Sequence, residues 1–253
     1  MTTHALSDTA VLTGRSLRHI LRSPDTIVTT AIMPVAIMLL FVFVLGGAVD
    51  TGGTAYVDFL LPGILLITVA SGIAYTAYRV FLDVRGGIVD RLRSLPIAPA
   101  SVLWGHVLTS LLANAVSLAL VIGVALLVGF RSGASPVAWL GVVGILMAYT
   151  LALTWVAVIA GLAAKTIDGA SAFSYPLIFL PFVSSAFAPT DTMPGPVRWF
   201  AENQPVTSLV DALRALLAQQ PVGASVWIAL AWCAGILAVA WAVAVVLFRR
   251  SAR

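Results

Sequence analysis

With every charged residue struck out, six long uncharged stretches remain: 26–49, 59–78, 94–130, 132–164, 169–190 and 215–248. None is shorter than 20 residues, and no other charge-free run exceeds 8. A helix rises about 1.5 Å per residue, so roughly 20 apolar residues cross a ~30 Å hydrocarbon layer. Backbone N–H and C=O groups in lipid must be satisfied within the segment, which selects helices for such runs. The expected fold is therefore all-α: an integral membrane protein forming one transmembrane domain over 1–253. Its six spans fall at about 26–49, 57–79, 101–129, 137–164, 169–189 and 223–248.

Composition narrows the function classes. The chain is 60% hydrophobic and 9% charged, against about 25% charged in ordinary soluble domains. The segments between spans are too short for an independent soluble domain of roughly 50 residues. The net charge of +4 comes from residues at membrane edges, so lipid headgroups explain it and nucleic acid is not an expected partner. A single cysteine, Cys233 in the last span, excludes a disulfide framework and a Cys-based metal cage. Arginine outnumbers lysine 13 to 1, a usage that points to a GC-rich bacterial genome. The first apolar run follows Arg15, Arg18 and Arg22 as a signal peptide would, but at 24 residues it exceeds a cleavable core and reads as a retained helix.

Cations stay on the cytoplasmic side. With the N-terminus inside, the inner side holds 11 of the 14 basic residues, leaving Arg131, Arg198 and Arg214 outside. Both termini are then cytoplasmic, in a multi-pass protein of the bacterial cell membrane. Residues 5–22 read as an interfacial helix, with Leu6, Ala10, Leu17, Ile20 and Leu21 on one face and Arg15, Arg18 and Arg22 on the other. It is either a surface anchor or a contact for a partner protein. Pro24 ends it.

The inner loop between the second and third spans is the densest charge cluster in the chain, with Arg79, Asp83, Arg85, Asp90, Arg91 and Arg93 inside 15 residues. Gly86-Gly87 breaks one helix, Ile88 to Leu95 can form about two turns, and Pro96 and Pro99 stop it. Ile88, Leu92 and Leu95 make an apolar stripe, with Asp90, Arg91 and Arg93 off it. Such a short hinged helix suits docking into a groove on another protein; the alternative is a turn held at headgroup level.

The run Gly87-Ile88-Val89-Asp90-Arg91-Leu92-Arg93-Ser94-Leu95-Pro96 resembles the cytoplasmic loop of ABC-2 type transporter permeases, in particular the daunorubicin/doxorubicin-resistance branch of actinobacteria. A second match lies far along the chain. It runs through Ser184-Ser185-Ala186-Phe187, Asp191-Thr192-Met193-Pro194, Glu202-Asn203-Gln204-Pro205-Val206-Thr207 and Asp211-Ala212-Leu213-Arg214. The resemblance implies a permease subunit of an ATP-driven exporter of an amphiphilic drug, natural product or lipid. Two such subunits, identical or paralogous, would form the pathway, and two copies of a separate ABC ATPase would dock beneath. The stretch from Asp83 to Pro96 would be the coupling helix, and ATP and Mg would sit on the partner, with no cofactor on this chain. The sequence has no G-x-x-x-x-G-K-[ST] loop with which to cradle ATP. The chain is thus read as a transport subunit and not itself an enzyme.

Residues 190–217 differ from a plain connector. Pro194-Gly195-Pro196 forces a turn, Val197 to Asn203 can form a short helix before Pro205, and Val206, Leu209, Val210, Leu213 and Leu217 make an apolar face. Ser208, Asp211 and Arg214 are expected away from that face, the last two pairing at i, i+3. Two short helices at or dipping into the outer leaflet follow. They are either an outer gate involving Pro194, Trp199, Asn203, Pro205, Asp211 and Arg214, or an interfacial cap with Trp199 at headgroup depth.

Inside the membrane, Asp58, Arg79, Lys165 and Asp168 fall at span ends. His106 lacks an obvious carboxylate partner and is expected to pack rather than relay protons. Ser110, Asn114 and Ser117 are placed to bond a neighbouring helix. Pro176 and Pro181 are expected to kink span five, and Ala231/Gly235 and Ala238/Ala242 to be small-residue steps in span six. An ion-coupled secondary transporter would show midplane acids or broken inverted repeats, and a hydrolase a nucleophile with a paired histidine. Neither pattern stands out. A polysaccharide or glycolipid exporter on the same scaffold stays open.

Overall fold

The structure, a computed structural model, describes residues 24–46, 55–87 and 99–250. All regular elements among the described residues are helical. In chain order, α1 (Pro24–Leu40) continues into a π-helical turn (Phe41–Leu45), followed by α2 (Tyr56–Arg85), α3 (Pro99–Val128) and α4 (Pro136–Ala163). Then come α5 (Ile167–Ala172), α6 (Ser174–Phe179), 3-10 turns at Leu180–Val183 and Thr190–Thr192, α7 (Gly195–Asn203), α8 (Pro205–Leu217) and α9 (Ser225–Arg250). Four of these, α2, α3, α4 and α9, are long and apolar enough to cross a membrane. They overlie the expected second, third, fourth and sixth spans.

The centre of the bundle is α2. All eleven residues from Leu60 to Ala70 are buried around the full circumference of the helix, as expected of a helix apolar on every side. It packs on α1, α3, α4, α5, α6 and α8. By contrast, α3 is patterned inside out. Trp104, Leu108, Leu112, Val116 and Leu120 form an exposed apolar stripe, while Ser110, Asn114 and Ser117 are buried. That inversion suits a helix whose outer solvent is hydrocarbon.

Buried hydroxyls are satisfied locally or across helices. Thr68 donates to the Ile64 carbonyl at 2.8 Å, and Thr150 and Thr154 donate to Leu146 and Thr150 at 2.7 Å each. Between helices, Thr76 donates to Ser110 at 2.9 Å, Ser110 meets Thr154 at 3.0 Å, and Ser117 meets Thr30 at 3.3 Å. Ser110 and Ser117 thus bond neighbouring helices as the sequence suggests. Asn114 instead donates to the Ser110 carbonyl of its own helix at 3.0 Å, and its Oδ1 lies against Gly72.

The second helix runs past residue 79 to Arg85 and stops at Gly86-Gly87, where the sequence reading puts the break. Asp83 and Arg85 are therefore helical residues, and Arg79 lies within the helix. The fifth apolar stretch is kinked as expected: the backbone stays right-handed helical through Phe173, Phe179 and Leu180 while the helix type changes along it. Pro176 falls in the first turn of α6, Pro181 sits inside the 3-10 turn, and Ser184 is extended at φ −146°. Each proline occupies a position where its missing N–H costs least. In α9 the proposed small-residue steps at Ala231/Gly235 and Ala238/Ala242 are exposed; the face against the bundle carries Ala229, Cys233, Ala240 and Ala244 instead. The interfacial helix with Arg15, Arg18 and Arg22 lies outside the described residues.

Helix approach depends on missing side chains. A Cβ on Gly161 of α4 would stand 2.7 Å from both the Ala77 carbonyl and the Val80 Cβ of α2. Gly144 of the same helix faces open space. Glycine to alanine inside a helix ordinarily stabilises by about 0.5–1 kcal/mol, whereas overpacking costs about 1–3 kcal/mol. Gly161→Ala is therefore expected to lower the thermal midpoint in detergent, and Gly144→Ala to leave it unchanged or raise it, read by size-exclusion-monitored melting.

Candidate functional site

Three sets of residues carry the chemistry. The first lies where α2 ends and α3 begins. Gly86 and Gly87 cap α2 through bonds to Leu82 at 2.7 Å and Val84 at 3.3 Å, with Gly87 at φ +66°. Only glycine takes that backbone region without penalty. Just inside this stop, Asp83 Oδ2 stands 3.2 Å from His106 Nε2. His106 does have a carboxylate neighbour, contrary to the expectation from sequence, because the partner is 23 positions away and joins only when the two helices pack. Arg85 donates to the Ala164 carbonyl at 3.3 Å, tying the same end to the α4–α5 link. Beneath the pair, Val80, Leu103, Val107, Trp155, Val158 and Phe248 form a buried apolar cluster. Ile88, Asp90, Arg91, Leu92, Arg93, Leu95 and Pro96 lie outside the described residues, so of the coupling-loop residues the structure places Asp83, Arg85, Gly86 and Gly87.

The second set is an open cleft of about 480 Å³ between α1, α2, α5 and α6, in the half of the bundle nearer Arg85. Thr30, Ser71, Ser171 and Ser174 line it together with the rings of Tyr75, Tyr78 and Tyr175, and among the described residues no charged side chain does. Tyr75 and Tyr78 sit 6.0 Å apart, with the Arg79 guanidinium 5.9 Å over the Tyr75 ring at the cleft's edge. Hydroxyls at several heights and aromatic faces can hold an uncharged, oxygen-bearing aromatic surface by hydrogen bonds and stacking. The volume is in the range of drug-sized ligands. None of these cleft residues stood out in sequence. Ser71, Tyr75 and Tyr78 share one helix face at i, i+4, i+7, as do Ser171, Ser174 and Tyr175 at i, i+3, i+4; that spacing was a usable signal, but it does not tell that the two faces meet.

The third set lies at the opposite end. Arg214 of α8 donates through Nη2 to the Ser185 carbonyl at 2.9 Å and the Phe59 carbonyl at 3.2 Å, and covers the Phe59 ring at 4.2 Å. Its Nη1 is 3.5 Å from Asp211, which accepts a 2.6 Å bond from Ser185. The i, i+3 pair therefore forms, but Arg214 does not point away from the bundle as expected. It reaches inward to bond the Ser185 carbonyl just past the end of the fifth stretch and the Phe59 carbonyl in the first turn of α2. Burial pulls its pKa down, and the Asp211 carboxylate offsets part of that. Gln204 performs a similar task, donating to the Val183 carbonyl at 2.8 Å. The apolar face Val206, Leu209, Val210, Leu213 and Leu217 is buried as expected. Trp199 is 69% exposed, Asn203 donates to the Trp199 carbonyl at 2.8 Å, and Pro194 and Pro205 open α7 and α8.

These features define a helical, multi-pass membrane protein with a cleft lined by hydroxyls and tyrosine rings. The ABC-2 type transporter family model matches residues 7–218, and the chain belongs to that family. Its members are membrane subunits that work with an ABC ATPase. Among relatives, the daunorubicin resistance ABC transporter permease protein DrrB1 of Streptomyces coeruleorubidus is 29% identical over 220 residues, covering 84% of this chain and 76% of that protein. The probable doxorubicin resistance ABC transporter permease protein DrrC of Mycobacterium tuberculosis is 25% identical over 239 residues, covering 92% of this chain and 85% of its own length.

The Arg214 network yields a test. Lysine keeps the charge but has one nitrogen where arginine uses Nη2 for the two carbonyls and Nη1 for Asp211, and an unsatisfied buried acceptor costs about 1–3 kcal/mol. Arg214→Lys is expected to lower the thermal midpoint clearly. Asp211→Asn, at a half-exposed position where ion pairs are worth about 0–1 kcal/mol, is expected to change it little.

Proposed function

We propose that this chain is the membrane-spanning subunit of an exporter that moves an amphiphilic compound out of the cell, energised by a separate ATPase. The observation that carries the reading is the family membership taken together with the cleft of hydroxyls and tyrosine rings in the half of the bundle nearer the loop at 86–98. In this reading the chain crosses the bacterial cell membrane six times with both termini inside. α1 with its π-helical turn and the kinked stretch α5–α6 supply the first and fifth spans. Cargo enters the cleft from the cytoplasmic side. The names of the relatives favour a drug or natural product, and a lipid, polysaccharide or glycolipid remains the alternative cargo.

The loop between α2 and α3 is the coupling element, through Ile88, Asp90, Arg91, Leu92, Arg93, Leu95 and Pro96. Its two stems are joined by Asp83 and His106, so a push on the loop is delivered to both helices together. ATP and Mg are held by the ATPase, two copies of which serve two permease chains, identical or paralogous. Pro194, Trp199, Asn203, Pro205, Asp211 and Arg214 belong to an outer segment that either gates the exit or caps it at headgroup level. The Asp83–His106 pair is the one feature that favours an ion-coupled transporter, since a carboxylate and an imidazole can pass a proton.

Co-expression with the ATPase encoded beside its gene, followed by mild-detergent purification, decides between these readings. Two permease and two ATPase copies are expected. Replacing Ile88 and Leu92 by Asp is expected to abolish ATPase retention while leaving the helices inserted, checked by pull-down and protease protection. Normal cargo-stimulated ATPase in that variant would sink the coupling role. A permease that never retains an ATPase, even with nucleotide, would revive the ion-coupled reading.

A further inference from the structure

The cleft does not continue through the bundle. Toward the Arg214 end the lining turns apolar, and on α1 and α6 it then turns aromatic. On α1 the cleft residue Met33 is followed one turn on by Ile37 and then Phe41; on α2, Ser71 is followed by Ile67 and Gly63; on α6, Ile178 is followed by Phe182. Ile67, Ala70 and Ile178 are buried, with Ile37, Phe182 and Phe187 packed against them. Beyond this layer Phe182 and Phe187 stack at 4.8 Å with an interplanar angle of 13°, and Phe41 meets Phe187 at 5.0 Å and Phe182 at 6.3 Å. Gly63 admits the stack, since a Cβ there would stand 3.2 Å from the Phe187 ring and 2.6 Å from the Ala186 Cβ.

The backbone leaves regular α-helix at the same level in two places. Phe41 is the first residue of the π-helical turn, and Phe182 lies within the 3-10 turn that ends the kinked stretch. Such departures mark hinges and functional positions more often than ordinary helix does, and an apolar constriction bars hydrated solutes without a physical plug. Phe41, Phe182 and Phe187 are each only partly buried, so their packing can loosen without unfolding the core around α2.

Resting on the exporter reading, we propose that Phe41, Phe182 and Phe187 form an aromatic septum that closes the cleft toward the outer face. The septum must part for cargo to leave. The π-helical turn and the 3-10 turn supply the slack: rewinding either one rotates its phenylalanine out of the stack.

The test uses the full-length chain in right-side-out and inverted membrane vesicles, with native Cys233 replaced by Ala and a single reporter, Ser71→Cys, in the cleft. A charged, membrane-impermeant methanethiosulfonate is added from one face at a time. With the aromatics intact, modification is expected from the cytoplasmic face only. Adding Phe182→Ala with Phe187→Ala is expected to give a severalfold gain in labelling from the outer face. Native Cys233, buried against the bundle, reports folding in a parallel chain that keeps Ser71, and it should stay unreactive. Where the double exchange unfolds, Phe187→Leu removes the stack while keeping an apolar side chain, and the same gain is expected. Outer-face labelling with all three aromatics present, or no gain in a folded variant lacking them, would overturn the septum while leaving the cytoplasmic cleft in place. Labelling from neither face would overturn the open cleft and the septum with it. The exporter reading fails separately, by the absence of a retained ATPase.

Discussion

Everything in this bundle is referred to α2, and α2 is held by side chains that are not there. Gly63 admits Ala186 and Phe187, Gly72 admits the Asn114 amide of α3, and Gly161 of α4 admits Val80. These three contacts sit at three heights along one helix. In a bilayer, lipid tails are as apolar as leucine, so helices gain nothing by hiding apolar surface from the solvent. Close backbone approach and the dispersion contacts it allows must supply the association instead. The rigid core of α2, α3 and α4 follows from that, and the remaining elements are arranged by how they meet it.

Polar groups divide along the same line. Within the rigid core, hydroxyls are closed off by bonds to the preceding turn or to one another, as with Thr76, Ser110 and Thr154. A closed hydroxyl is no longer available to a ligand. Where α1, α5 and α6 meet α2, Ser174 is closed in the same way by its 2.7 Å bond to the Ser171 carbonyl, while Ser171 and Tyr175 line an open cleft, and the backbone there is made irregular by Pro176, Pro181 and the π-helical turn. Irregular backbone at membrane depth is tolerated only where protein or a cavity can satisfy it. Gln204 and Arg214 meet that requirement by capping the carbonyls of Leu180, Val183 and Ser185.

The long helices were legible because charge-free length is a one-dimensional property. The ends of α3 and α4 fall within two residues of the sequence reading, and α8 buries the apolar face read from its spacing. The kink at residues 173–183 was legible because the prolines mark the place, although the change of helix type depends on where each falls within a turn. Pairings between distant helices were not legible at all. Asp83 and His106 are separated by a loop whose own charges draw attention, and Arg214 reads as a surface residue until the carbonyls it caps are seen. In α9, several small residues offered a plausible seam, and only the rotation of the helix against α4 selected Cys233 and Ala240 over Gly235 and Ala238. Sequence periodicity fixes which residues share a face but not which face turns inward when both are apolar.

The division between a rigid core and irregular elements bears on how force could travel. A push at the 86–98 loop meets α2 and α3 where Asp83 and His106 join them and where Val80, Leu103, Val107 and Trp155 are locked together. In the proposed exporter such a base would pass displacement to α2, α3 and α4 together, and relative motion would appear where backbone geometry is already irregular. Those places are the π-helical turn of α1 and the 3-10 turn after α6, which border the cleft and its aromatic end. For the proposed exporter, a stiff junction of α2 with α3 and slack at the cleft would be complementary requirements: slack at the junction would dissipate motion before it reached the cleft, and stiffness at the cleft would keep it from opening.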